Sequence, residues 1–206
     1  MGRLVTNTMI TVDGVYQAPG GPQEDTSGGF ASGGWFAPYV EESIGGELLA
    51  RHLAVEVFLY GRHTYEILGH HWPHAADDDP MAAKLNHSPK YVVSRTLTSA
   101  DWENSTLLPG DVAEEVRALK RRHDGDIFVI GSGMLVRTLL RHDLVDRLTL
   151  IVAPVIVGEG KRLFAQDTPP RGLRLVGSKV FDGGIAVNDY EFAGAVKTGD
   201  ASIAPD

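Results

Sequence analysis

Residues 126–141 read DIFVIGSGMLVRTLLR, and this stretch decides the fold. Asp126–Ile130 is a short apolar run with the length of a buried strand. Gly131-Ser132-Gly133 breaks the run, and Ser132 is a natural N-cap for a helix over 133–141. On that helix Leu135 and Leu139, and Val136 and Leu140, stand four apart and give one apolar face. A buried strand that feeds a glycine turn and then an amphipathic helix is the building unit of an α/β sheet.

The same punctuation recurs on either side. Val55–Tyr60 (VEVFLY) reads as a buried strand, closed by Gly61 and followed by a short helix from His63 to about Leu68. Upstream, residues 3–12 (RLVTNTMITV) alternate and are rich in Val, Ile and Thr, which suits a strand. Asp13 to Gly34 is a long glycine-bearing loop, and Gly20–Gly34 is expected to act as a lid. Pro38 opens a helix near 38–52 with Ile44, Leu48 and Leu49 on one face. His70–Pro80 reads as loop, because Trp72-Pro73 and the acidic run before Pro80 break helices.

Lys90–Ser94 is a strand, and Asp111 with Glu114 forms a capping box for a helix to about Arg122. Arg147–Pro154 is a further strand. Arg174–Phe181 and Ile185–Phe192 flank Asp182-Gly183-Gly184, a hairpin signal. The expected fold is α/β: a mostly parallel central sheet, helices on both faces and an antiparallel C-terminal hairpin. Residues 1–193 form the expected domain. Residues 194–206 have little to bury and are expected to be a disordered tail.

Composition narrows the function classes. The chain has 206 residues and no cysteine, which removes disulfide scaffolds, thiolate metal sites and cysteine nucleophiles together. Nineteen Lys+Arg against 27 Asp+Glu leave a net charge of −8, which argues against a nucleic-acid partner. The N-terminus, MGRLVTNT, lacks the apolar core of a signal peptide, and no apolar stretch approaches the roughly 20 residues of a membrane span. A cytoplasmic protein is the expectation.

Three strand ends carry groups suited to phosphate. Gly61-Arg62-His63-Thr64 starts a helix, where free N–H groups and the positive end of the dipole favour an anion. Gly131-Ser132-Gly133 lets backbone approach a ligand closely at the end of another strand. Ser94-Arg95 ends a third. The pattern points to one dinucleotide laid across the sheet edge. It is not a complete Gly-x-Gly-x-x-Gly fingerprint, because Val136 stands where the third glycine belongs.

Gly61-Arg-His-Thr-Tyr-Glu66 resembles the cofactor-binding turn of dihydrofolate reductases. The run Ile127–Phe164 resembles the C-terminal reductase domain of the bacterial bifunctional riboflavin-biosynthesis deaminase/reductase. It carries Leu139-Leu140, Leu144-Val-Asp146, Ala153-Pro154 and Gly158-Glu-Gly-Lys-Arg-Leu-Phe164. The resemblance covers residues 3–193. It implies a dihydrofolate-reductase-like three-layer fold that binds NADPH and reduces a C=N or C=O bond of a small heterocycle. That substrate would be pterin-, pyrimidine- or flavin-precursor-like.

By this resemblance Arg62, His63 and Thr64 meet the cofactor phosphates, with Ser94 and Arg95 around the 2′-phosphate. Gly61 closes the turn, and Gly131, Ser132, Gly133, Met134 and Leu135 hold the pyrophosphate and nicotinamide side. Two arginines near a 2′-phosphate would favour NADPH over NADH through charge-assisted hydrogen bonds. The family usually has two adjacent glycines where this chain has Gly131-Ser132. Serine there counts against the cis peptide familiar in the family, since a non-proline cis bond costs roughly 3–4 kcal/mol.

On the substrate side, Asp13 in Val12-Asp-Gly-Val15 would orient substrate or relay a proton, unless Asp-Gly is simply a turn. Trp35 would stand near the pocket or pack as part of the lid. The helix carboxylate that a true dihydrofolate reductase needs has no counterpart: Gly45 falls near its position, flanked by Glu41, Glu42 and Glu47. Two other classes stand beside the reductase. One is an NADP(H)-binding module without turnover. The other is a metal-dependent hydrolase built on His70, His71 and His74, which lacks a supporting His-Glu-x-x-His pattern. Stand-alone relatives suggest a homodimer, with the apolar strand 147–157 as its interface.

Overall fold

The computed structural model describes residues 1–76 and 78–200; Asp77 and the end of the expected tail, 201–206, lie outside the described residues. The apolar runs become strands of one sheet: β1 (Arg3–Thr11), β2 (Val57–Gly61), β3 (Lys90–Val93), β4 (Ser105–Leu108), β5 (Asp126–Ile130), β6 (Arg147–Ala153), β7 (Leu173–Val180) and β8 (Ala186–Phe192). Their spatial order is β4-β3-β2-β5-β1-β6-β8-β7. All pairings are parallel except those of β8, which runs antiparallel to both β6 and β7. The expected hairpin at the end of a mostly parallel sheet is therefore present.

Helices α4 (Val112–Arg122) and α5 (Gly133–Arg141) cover one face. Their Val116, Leu119, Leu135, Val136, Leu139 and Leu140 pack on Leu4, Ile10, Leu59, Ile127, Val129 and Leu148. On the other face α1 (Glu42–Leu53), α2 (Arg62–His71) and α3 (Pro80–His87) bury Ile44, Tyr65 and Leu85. Strands covered on both faces must be apolar on both, and β2 and β5 read as continuous apolar runs for that reason.

Four elements depart from expectation. Pro38 sits in a separate 3-10 turn, Ala37–Tyr39, and α1 starts only after Val40 and Glu41, whose backbones are extended. The second helix runs on to His71, past the expected end at Leu68. The Asp79-Pro80 pair starts α3: the Asp79 carboxylate accepts from Met81 N and Ala82 N, and Pro80 fills the first helical position. Strand β4, Ser-Thr-Leu-Leu at an edge, carries too little apolar periodicity to be seen in advance.

The expected dimer interface at 147–157 cannot form by edge pairing of its strand portion. β6 lies inside the sheet, with β1 on one edge and β8 on the other, so it has no free edge to offer a partner.

Candidate functional site

β5 lies between β2 and β1, and β3 lies on the far side of β2. The pairings Leu59↔Val129 and Gly61↔Val93 bring the ends of β2, β5 and β3 side by side. Gly61–Thr64, Gly131–Leu135 and Ser94–Arg95, distant in sequence, thus meet at one sheet edge. This is where a parallel sheet offers helix N-termini to a ligand.

The first two turns are tied to each other. Gly61 N donates to Ser132 Oγ at 3.0 Å, and Ser132 N donates to Thr64 Oγ1 at 3.0 Å. Gly61 is the N-cap of α2 and Ser132 the N-cap of α5, so each helix caps the other across 71 residues of chain. Ser132 makes no capping bond to its own helix, contrary to expectation. The reason is its backbone: Gly131 and Ser132 both adopt left-handed angles, with φ of 52° and 51°. Glycine does so freely, whereas serine there costs roughly 1–2 kcal/mol. No cis peptide occurs among the described residues.

With those bonds made, no side chain caps the first-turn N–H groups of either helix. Those of Arg62, His63 and Thr64 on α2, and of Gly133, Met134 and Leu135 on α5, have no intrahelical acceptor. Two helix dipoles therefore present their positive ends and open donors at one place.

The outer edge is basic. Arg62 pairs with Glu66 at 3.0 Å on the exposed face of α2. Arg95 is exposed and has no ion-pair partner among the described residues. The Ser94 hydroxyl accepts from Thr96 N and Leu97 N at 3.2 and 3.0 Å, so it shapes the turn that presents Arg95.

The long loop closes over this cradle. Gln17 Nε2 donates to Asp25 O and Ser27 O, and Lys161 Nζ meets Asp25 at 2.6 Å. Burial opposes ionisation of Asp25, but the Lys161 and Ser27 hydrogen bonds outweigh it and hold the carboxyl at about 2. His63 Nε2 lies 3.1 Å from Glu24 O, so the loop touches the first turn of α2. Tyr16 lies against Gly133: a Cβ there would come within 2.4 Å of the ring. Among the described residues its buried hydroxyl has no partner, and burial raises its pKa despite the nearby Arg137. Nothing in the sequence singled out Tyr16. Its position directly after the Asp13-Gly14-Val15 turn was the available signal.

Asp13 and Trp35 are both engaged by neighbouring segments of the chain. The Asp13 carboxylate accepts from Thr11 Oγ1 at 2.6 Å, Gly158 N at 3.0 Å and Val157 N at 3.3 Å, and pairs with Arg162 at 3.2 Å. The Thr11 hydroxyl contributes most to a pKa lowered to about 2, so at neutral pH Asp13 holds no proton to relay. Arg162 also donates to Asp13 O and Gly158 O. The Gly158–Phe164 block is thus the brace that holds the end of β1. Trp35 is buried, donates to Gln17 O at 2.7 Å, and packs with Val15, Ala18, Phe30 and Phe36 in the core of the loop. It is packing.

Helix α1 has glycine at position 45 and leaves Glu42 exposed at its first turn, while the other two flanking carboxylates are engaged. Glu41 accepts from Ser43 Oγ and Gly183 N, while Glu47 pairs with Arg51 and Lys179. A Cβ built at Gly45 meets no atom within 4 Å, so the helix leaves open space there. Arg51 in turn makes a two-pronged pair with Asp189, which also accepts from Thr149 Oγ1, fixing α1 to β8. Two pockets, of about 500 and 300 Å³, lie beside Trp102 and beside Phe30, and neither is lined by the cross-tied turns. His70 and His71 are exposed at the end of α2. Among the described residues no three His, Asp or Glu side chains come together to hold a metal ion.

The RibD C-terminal domain family matches this sequence over residues 3–187. The chain belongs to that family. It is similar to the uncharacterized protein YyaP of Bacillus subtilis, 33% identical over 68% of this chain and 76% of that protein. It is also similar to YwjB of the same organism, 28% identical over 62% of this chain and 68% of that protein.

Among solved structures, a putative riboflavin biosynthesis protein of Shewanella sp. superposes with a TM-score of 0.68 at 18% identity, covering 94% of this chain and 99% of that one. A pyrimidine reductase-like protein of Corynebacterium diphtheriae gives 0.61 at 14% identity, over 93% and 92% of the two chains. A diaminohydroxyphosphoribosylaminopyrimidine deaminase/5-amino-6-(5-phosphoribosylamino)uracil reductase of Thermotoga maritima gives 0.60 at 12% identity. There the match covers 93% of this chain and 57% of that one. At these identities the likeness is one of fold, and it agrees with the three layers described above.

Proposed function

We propose that this chain is an NADPH-dependent reductase that delivers a hydride to a C=N or C=O bond of a small pyrimidine-like heterocycle. The observation that carries the proposal is the pair of cross-tied helix N-termini at Gly61 and Ser132. Membership of the RibD C-terminal domain family supports it.

The cradle fits a dinucleotide. Open N–H groups of residues 62–64 and 133–135 would hold the diphosphate, and the exposed Arg95 would read the 2′-phosphate. Arg62 would exchange Glu66 for the same phosphate. When bound, the nicotinamide supplies the hydride; the protein orients it and excludes water. The loop carrying Tyr16 and Glu24 covers the cradle, so it must lift to admit the cofactor and close again to keep water out.

Gly45 puts no carboxylate at that point of the helix, Glu41 and Glu47 are engaged, and Glu42 lies exposed at the helix start, so a dihydropterin would lack the helix carboxylate for its protonation. A pyrimidine is therefore favoured over a pterin. The test is NADPH consumption across panels of pyrimidine, pterin and carbonyl acceptors. Turnover with a pyrimidine is the expected result. Tight binding with no consumption anywhere would replace the reductase with a nucleotide-binding module.

For a homodimer we propose β7, the outer strand, as the contact. Its free edge exposes Leu173, Leu175 and Val180 at 42, 53 and 71%, and an uncovered apolar edge invites a second copy. Sedimentation at micromolar concentration should give twice the chain mass.

A further inference from the structure

We infer that Ser132 is a positioning residue whose hydroxyl, together with that of Thr64, sets the spacing of the two helix N-termini on which the dinucleotide diphosphate rests. The inference deepens the cofactor reading above and rests on it.

A left-handed backbone at position 132 would be easiest for glycine. Serine occupies it here, and its hydroxyl provides what glycine cannot: an acceptor for Gly61 N, at 3.0 Å. The same residue's N–H is taken by Thr64 Oγ1, also at 3.0 Å. The two bonds run in opposite directions between the same two turns, so neither helix can slide or rotate without breaking one.

The two turns lie close enough that an added Cβ would meet the opposite side chains in ordinary van der Waals contact. A Cβ at Gly61 would stand 3.6 Å from the Ser132 and Leu135 Cβ atoms, and one at Gly131 would stand 3.5 Å from Thr64 Oγ1. Each hydroxyl also keeps its own proton, because each only accepts in its bond to the opposite turn. An anion placed between the helices therefore meets donors that are already in position, which removes the cost of ordering them on binding.

The test compares wild type with Ser132→Gly, Thr64→Val and Thr64→Ser, reading NADPH affinity, melting temperature and amide exchange of the free protein. Ser132→Gly relieves the left-handed serine as it removes the hydroxyl, so melting should change little while NADPH affinity falls about ten-fold. The Gly61 amide should exchange faster in the free protein. Thr64→Val should cost a similar factor and free the Ser132 amide, and Thr64→Ser should restore both.

NADPH affinity within about two-fold of wild type in both Ser132→Gly and Thr64→Val would overturn the inference, even with faster amide exchange, and leave the cofactor reading standing. Wild type that ignores NADPH would overturn both.

Discussion

The turn after β1 and the turns after β2 and β5 end neighbouring strands at one sheet edge, yet they treat their polar groups in opposite ways. At the end of β1, the Asp13 carboxylate is saturated by Thr11, Val157, Gly158 and Arg162. At the ends of β2 and β5, hydrogen bonds join the two turns to each other and leave the first-turn donors of both helices open. A saturated turn holds the fold. An open one, built with a strained residue, is where the cofactor proposed above would bind. On that proposal the cradle and the Asp13 brace would divide ligand binding from loop anchoring within one sheet edge.

Asp13→Ala breaks the comparison most sharply. It strips acceptors from two backbone amides and a partner from Arg162, so stability should fall by about 3 kcal/mol in a urea titration. Cofactor affinity of the folded protein should stay near that of wild type. A stable variant that lost NADPH would move Asp13 from the brace to the site. The acid limb follows from the same contacts. The Asp13 and Asp25 carboxyls are held at about 2, below their ordinary 3.8. Their contribution is complete above the unfolded value of 3.8 and is lost as pH falls through about 2. Unfolding followed against pH should show that loss, and in Asp13→Asn part of it should be gone.

Arg95→Ala should lower NADPH affinity about ten-fold or more, or about 1.5–3 kcal/mol, and leave NADH binding unchanged. An equal loss for both cofactors would place Arg95 away from the 2′-phosphate.

The smallest effect is at the cover. Tyr16→Ala should speed NADPH association several-fold in stopped flow, because the ring no longer lies on Gly133. Tyr16→Phe removes a hydroxyl with no partner among the described residues and should change stability by less than about 0.5 kcal/mol. A large loss in Tyr16→Phe would show that the hydroxyl has a function in the bound state.

Much of the fold was legible because its signals are local. The apolar run of β5 and the i, i+4 leucines of α5 lie within sixteen residues of sequence. Asp79-Pro80 misled because the same pair that ends one helix can start another, and only the capping bonds to Met81 and Ala82 decide which. The cradle residues could be named from strand-turn-helix patterns and from the family resemblance. Their cross-tie could not, since Gly61 and Ser132 are 71 residues apart. Asp13 resisted for the same reason: its partners Val157 and Gly158 lie 144 and 145 residues away.

A calorimetric titration of the purified protein with NADPH and then NADH tests the central claim most directly. The cross-tied cradle with Arg95 at its edge predicts micromolar binding of NADPH and binding of NADH at least about ten-fold weaker. No heat with either nucleotide, at concentrations where the protein remains folded, would contradict it.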